Sequence, residues 1–108
     1  MGKRDYPGAL ELLVLLAVLR TGRNASGIPI AREIQLASGR PVALGSIYTA
    51  LSRLEQKGLL SSKLGAPTAQ RGGRAKAFFH LTDQGLAEVR DAQSALTSLW
   101  RGLPELEQ

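Results

Sequence analysis

The chain has 108 residues, 44% of them hydrophobic, and fourteen Lys plus Arg against nine Asp plus Glu give a formal net charge of +5. That length and apolar fraction fit one domain with its own core, and the absence of cysteine excludes a disulfide framework and thiolate metal sites. Charge is unevenly placed: Arg53 to Lys76 holds six basic residues and one acidic, whereas Asp83 to Gln108 holds two basic and five acidic, so the basic middle suits a polyanion and the acidic end has another task.

Residues 1–7 read as a basic arm, with Asp5 and Pro7 suited to the start of a helix. From Gly8 to Arg20 the run GALELLVLLAVLR is apolar almost all round, which predicts a central helix covered on most sides. Lys3-Arg4 followed by Leu10–Leu19 superficially resembles a leader, but Glu11 interrupts the run and no small-residue cleavage site follows it. It is also far short of the ~18 apolar residues of a membrane span, so no membrane partner is expected.

Turn residues make Thr21–Gly27 a loop. Ser26 and Pro29 then mark a second helix, Ile28 to Ser38, with Ile30, Ala31, Ile34 and Ala37 inward and Gly39 closing it. Arg40–Ala43 is a turn or a one-bridge strand. Next comes a third helix, Gly45 to Lys57: Leu44, Ile47, Leu51 and Leu54 recur at three- and four-residue steps on one face. Its opposite face carries Gly45, Thr49, Ser52, Arg53 and Gln56, and Gly58 stops it.

Leu59–Leu64 and Arg74–Leu81 read as strands joined through GAPTAQRGG. Thr82 caps a fourth helix on which Leu86, Val89, Gln93, Leu96, Trp100 and Leu103 form a three-four-three-four seam, as in a helix that pairs with another; Gly102 and Pro104 end it. The expected fold is α+β, mainly helical: a winged helix-turn-helix of three helices plus a two-stranded wing over residues 1–81. A C-terminal dimerisation helix (82–103) and a tail (104–108) follow.

On that fold Ser46, Thr49, Ser52 and Arg53 lie on or beside the polar face of the third helix, where hydroxyls can bond phosphates or base edges and arginine can pair with guanine. Lys57 and Lys63 extend the basic surface. Tyr48 sits between the two faces, placed for its phenol to reach a phosphate while the ring packs, or for packing alone. Arg71, Arg74 and Lys76 flank the wing tip, where arginine can enter a minor groove and lysine meet the backbone. Against these readings stand a merely solvated helix face and ordinary hairpin charge.

Catalysis has little to stand on. His80 is the one histidine and has no Cys or carboxylate cluster at metal spacing, and no Lys-Ser/Thr follows Gly72-Gly73. Neither an enzyme nor a cofactor is expected.

The chain resembles the PadR-like family of bacterial transcriptional regulators. The resemblance rests on Leu12–Leu19, Gly45-Ser46-Ile47-Tyr48 with Ala50-Leu51 and Arg53-Leu54-Glu55, Lys57-Gly58-Leu59, Gly72-Gly73-Arg74, and Phe79-His80-Leu81-Thr82 with Gly85, and spans Gly8 to Leu86. It implies a homodimeric repressor whose last helix dimerises, at times with an effector pocket between subunits. Trp100 then reads as interface packing or as the lid of a pocket for a small, flat aromatic effector. The chain departs from the family at Ala77, where a basic residue is common, at Phe78 and Phe79, where tyrosines are, and at Gly27-Ile28, the nearest equivalent of a tyrosine-glycine pair.

The expected function is therefore sequence-specific binding of double-stranded DNA at a pseudo-palindromic operator, in the bacterial cytoplasm and on the nucleoid. The alternatives are a winged-helix module that binds protein, and a non-specific DNA-binding protein.

Overall fold

Three apolar helix faces meet to make the core. The computed structural model describes residues 6–65 and 76–106. Helix α1 spans Ala9–Thr21, and a single 3-10 turn, Gly22–Asn24, leads to α2, Gly27–Ser38. Helix α3 is Leu44–Gln56, strands β1 and β2 are Leu60–Leu64 and Ala77–Leu81, and α4 is Asp83–Trp100. This is the expected order, and the architecture is a winged helix-turn-helix with one long helix added. None of the described helices is long and apolar enough to cross a membrane.

Val14, Leu15 and Val18 of α1, Ile30 and Ile34 of α2, and Ile47, Leu51 and Leu54 of α3 are all buried. Burying such side chains contributes about 1.5–3 kcal/mol each, so this cluster dominates the stability of the fold. Three expectations about faces need correction. Helix α1 is not covered on most sides, since Leu13, Leu16 and Leu19 remain exposed on it. On α2 Ala37 faces solvent rather than the core. On α3 the buried stripe is Ile47, Ala50, Leu51 and Leu54, whereas Leu44 is exposed. As the first residue of the helix, Leu44 lies one turn before the point where α1 and α2 close over α3.

Between α2 and α3 the chain makes a turn, not a strand. Gly39 takes the left-handed conformation at the end of α2, φ 72°, and donates its N–H to the Gln35 carbonyl. Helix α3 ends in a Schellman arrangement: Leu59 N–H reaches the Leu54 carbonyl at 2.9 Å and Gly58 N–H the Glu55 carbonyl at 3.0 Å. Gly58 has φ 79°, which an L side chain there would resist.

The wing is an antiparallel pair in which Leu60 faces Leu81, Ser62 faces Phe79 and Lys63 faces Phe78. Leu60 is buried, and Phe79 and Leu81 pack on the core. Alternation then turns Ser61, Lys63, Phe78 and His80 to the other face. The outer edge of β2 is tied down as well, because Phe79 N–H donates to the Ala25 carbonyl at 2.8 Å. The described part of the second strand starts at Ala77, and the expected residues Arg74 and Ala75 lie outside the described residues.

Helix α4 is locked to the body at its first turn. The Thr82 hydroxyl accepts from Gly85 N–H and donates to the Gly58 carbonyl at 2.6 Å, while Thr82 N–H reaches the Leu59 carbonyl. Thr82 is thus the cap, and the helix ends at Trp100, short of the expected Leu103. Arg101 is extended, and Gly102 with φ 80° turns the chain away.

Candidate nucleic-acid interface

The surface of interest is the outward side of α3 with its neighbours. Ser46, Thr49, Ser52 and Arg53 are all exposed there, because the core claims only the Ile47–Ala50–Leu51–Leu54 stripe. The exposed side chains beside Arg53 are short. They leave a face on which one guanidinium projects, bordered along the helix by the exposed Leu44 and the half-exposed Tyr48.

Tyr48 is half exposed, and its ring leans on the first residue of α2. A side chain at Gly27 would begin 2.6 Å from Tyr48 Cζ, so glycine leaves room for the Tyr48 ring in its present position. The ring therefore packs, with its hydroxyl end against Gly27. Pattern reading could not tell which neighbour Tyr48 would meet.

The basic residues separate into groups. Arg53 is free to point outward. Lys57 Nζ lies 2.8 Å from Glu11 Oε1, and Glu11 exposes only 13% of its side chain, so α1 holds this lysine at the end of α3. Lys63 is exposed on the outward face of β1. Lys76 Nζ is 6.0 Å from the Phe78 ring centroid, at the limit of a cation–π contact. Arg71 and Arg74 lie outside the described residues.

Several residues beside α3 were not expected there from the sequence. Glu11 is one, and its isolation within an apolar run was the available signal. Tyr6 is another: with Glu11 it lines a crevice beside Ser46, Thr49 and Arg53. Glu55 accepts a 2.6 Å hydrogen bond from Ser62, which braces α3 against the wing. Among the described residues no group of three potential metal ligands comes together.

The seam of α4 divides in two. Val89 belongs to the protein's own core and Leu86 is half-buried, whereas Gln93, Leu96, Trp100 and Leu103 are exposed. Leu99 is 77% exposed and was not part of the seam pattern. A groove runs between α1 and α4, lined by Leu12, Leu16, Val89, Gln93, Leu96 and Trp100.

Comparison with known proteins agrees with this geometry. The family model described as the transcriptional regulator PadR-like family matches residues 15–91. A PadR family transcriptional regulator from Eggerthella lenta DSM 2243 superposes with a TM-score of 0.70 at 26% identity, covering 92% of this chain and 81% of that one. A transcriptional regulator from Clostridium thermocellum gives 0.72 at 16% identity, with 92% and 90% covered. A PadR family transcription regulator from Clostridium difficile R20291 gives 0.69 at 21%, with 87% and 93% covered. No curated protein sequence matches the chain.

Proposed function

The chain belongs to the PadR-like family of transcriptional regulators, and from that premise we propose that it is a repressor that binds a pseudo-palindromic operator as a homodimer. Members of the family are transcription regulators rather than enzymes, and the chain is accordingly a DNA-binding regulator. The observation that carries the finer reading is the outward face of α3, where Ser46, Thr49, Ser52 and Arg53 stand exposed. Residues 1–81 form the DNA-binding unit in this reading, 82–103 the dimerisation segment and 104–108 a tail, and the protein works in the cytoplasm on the nucleoid.

Two α3 helices, one per protomer, enter successive major grooves, with half-sites about 10 bp apart centre to centre or a multiple of that. Arg53 reads a base edge. Lys63 and Lys76 meet phosphates, Arg71 and Arg74 enter a minor groove, and Lys57 joins the lysines where Glu11 releases it. The second protomer covers the apolar faces that one chain leaves open, Leu13, Leu16 and Leu19 on α1 and Leu96, Leu99, Trp100 and Leu103 toward the chain's end. Trp100 packs in that contact, and a small aromatic effector would occupy the same α1–α4 groove.

Selection of bound duplexes from a random pool, followed by titration across salt concentrations, tests the proposal. The expected outcome is a two-fold symmetric consensus, a steep salt slope, and specific binding at least about 10³-fold tighter than non-specific. A steep slope without a consensus would make the protein a non-specific DNA binder, and no binding at all would make it a protein-interaction module.

A further inference from the structure

Helix α3 contains a glycine that its own chain does not require. Three of the described α-helices hold one glycine each, Gly27 in α2, Gly45 in α3 and Gly85 in α4. A Cβ at Gly27 would run into the Tyr48 ring and one at Gly85 into the Leu59 backbone, so packing accounts for both. A Cβ at Gly45 would meet nothing within 4 Å, and its backbone is not left-handed. Glycine is a poor helix residue because it gives up more backbone freedom on folding than alanine does. Helix α3 therefore bears a local penalty that no contact within the described chain explains.

The position of Gly45 supplies a reason. It is the second residue of α3, and the buried stripe of Ile47, Ala50, Leu51 and Leu54 turns it outward. Helical spacing sets it in the middle of the outward face, in a row with the exposed Thr49, Ser52 and Gln56. Tyr48 and Thr49 stand one turn further on, and the exposed Leu44 precedes it. The missing side chain leaves a notch among these three. A recognition helix meets base edges with its N-terminal residues, which is where the notch lies.

The chemistry of the notch selects what fits it. Glycine offers no side-chain group to bond a base, and the Leu44 side chain and the Thr49 methyl beside it are apolar. In the major groove the apolar group that projects from a base-pair edge is the thymine C5-methyl. Resting on the reading of α3 as the helix that enters the major groove, we propose that Gly45 is a specificity-determining residue whose notch receives one thymine methyl in each half-site. An alanine there would put its Cβ where the methyl lies. The contact selects thymine without a hydrogen bond, and it brings the α3 backbone close to the floor of the groove.

The test starts from the duplex that the full chain selects out of a random pool, with each thymine replaced in turn by uracil, which lacks only the methyl. Fluorescence anisotropy reads the affinities of the full chain and of Gly45→Ala. The full chain is expected to lose about fourfold at one thymine per half-site, the worth of one buried methyl group. Gly45→Ala is expected to keep or raise Tm and to bind the thymine duplex about tenfold more weakly, through overpacking. On the duplex with uracil at that same position it should recover most of the loss, because its Cβ takes the methyl's place. A general weakening of α3 would not give this matched recovery. The proposal is overturned if the full chain is indifferent to uracil at every position, if Gly45→Ala binds the thymine duplex with wild-type affinity, or if it is weakened equally on both duplexes. A lowered Tm also overturns it, since Gly45 would then serve the fold. If the unaltered chain selects no duplex, the DNA-binding reading fails and the notch with it; if it selects one and any of these results follows, only the notch is lost.

Discussion

The ion pair between Lys57 and Glu11 sets how much positive charge the α3 surface presents. The 2.8 Å contact joins residues 46 positions apart, with Glu11 largely shielded and Lys57 half exposed. Such a pair contributes at most about 1 kcal/mol to stability, because water screens the lysine. In the proposed DNA complex its larger effect is on binding, where Glu11 cancels a charge at the end of α3 and competes with a phosphate for the ammonium. Glu11→Gln is therefore expected to tighten binding to all duplexes a few-fold at low salt and to steepen the salt slope by up to about one ion, while shifting Tm little. Anisotropy and thermal melting check both halves, and an unchanged slope would mean that Lys57 stays out of the interface. Reading residues in order marked Lys57 as a DNA contact and Glu11 only as a break in an apolar run. Their partnership depends on α1 crossing the end of α3, which no local pattern encodes.

At the scale of elements, the joint between the α3–β1 turn and α4 is the most demanding piece of the fold. Thr82 bonds both to the Gly58 carbonyl and to the first turn of its own helix. Gly85 comes so close to Leu59 that a Cβ would overlap the Leu59 carbonyl oxygen and lie 3.0 Å from its carbon. An exposed glycine inside a helix normally gains about 1 kcal/mol on change to alanine. Here the sign is expected to reverse, with Gly85→Ala destabilising by about 1–3 kcal/mol through overpacking against backbone. Chemical denaturation reads this directly, and a stabilised variant would mean that α4 can shift away from β1 without penalty. The Thr82 cap was legible in the sequence, as were α1, the turn and α3, since caps and helical periodicity are local. The reason for Gly85 was not, because it lies in the backbone of another element.

Across the whole molecule, α4 leaves the body after its first half. Gly85, Glu88, Val89 and Ala92 are buried, but Leu96, Leu99 and Trp100 are exposed, as are Leu13, Leu16 and Leu19 on α1. Large apolar side chains gathered this way mark an interaction surface more often than a free one. Leu96→Glu is expected to yield monomers in sedimentation velocity, since pairing would bury an uncompensated charge on each side, and to leave the α1–α3 core intact by circular dichroism. A dimer that persists would move the interface elsewhere. The sequence by itself determined the order of elements and three of the four buried positions of α3, Ile47, Leu51 and Leu54, because helical and strand periodicity is local. Only the tertiary structure decided what each stripe faces. Periodicity marks a side as apolar but does not name its partner: along one seam, on either side of Gln93, Val89 went to the chain's own core while Leu96 stayed open. The same holds for the stretch from Leu44 to Gln56, whose first leucine is exposed while Ile47, Leu51 and Leu54 are buried, and whose Tyr48 ring end lies against Gly27.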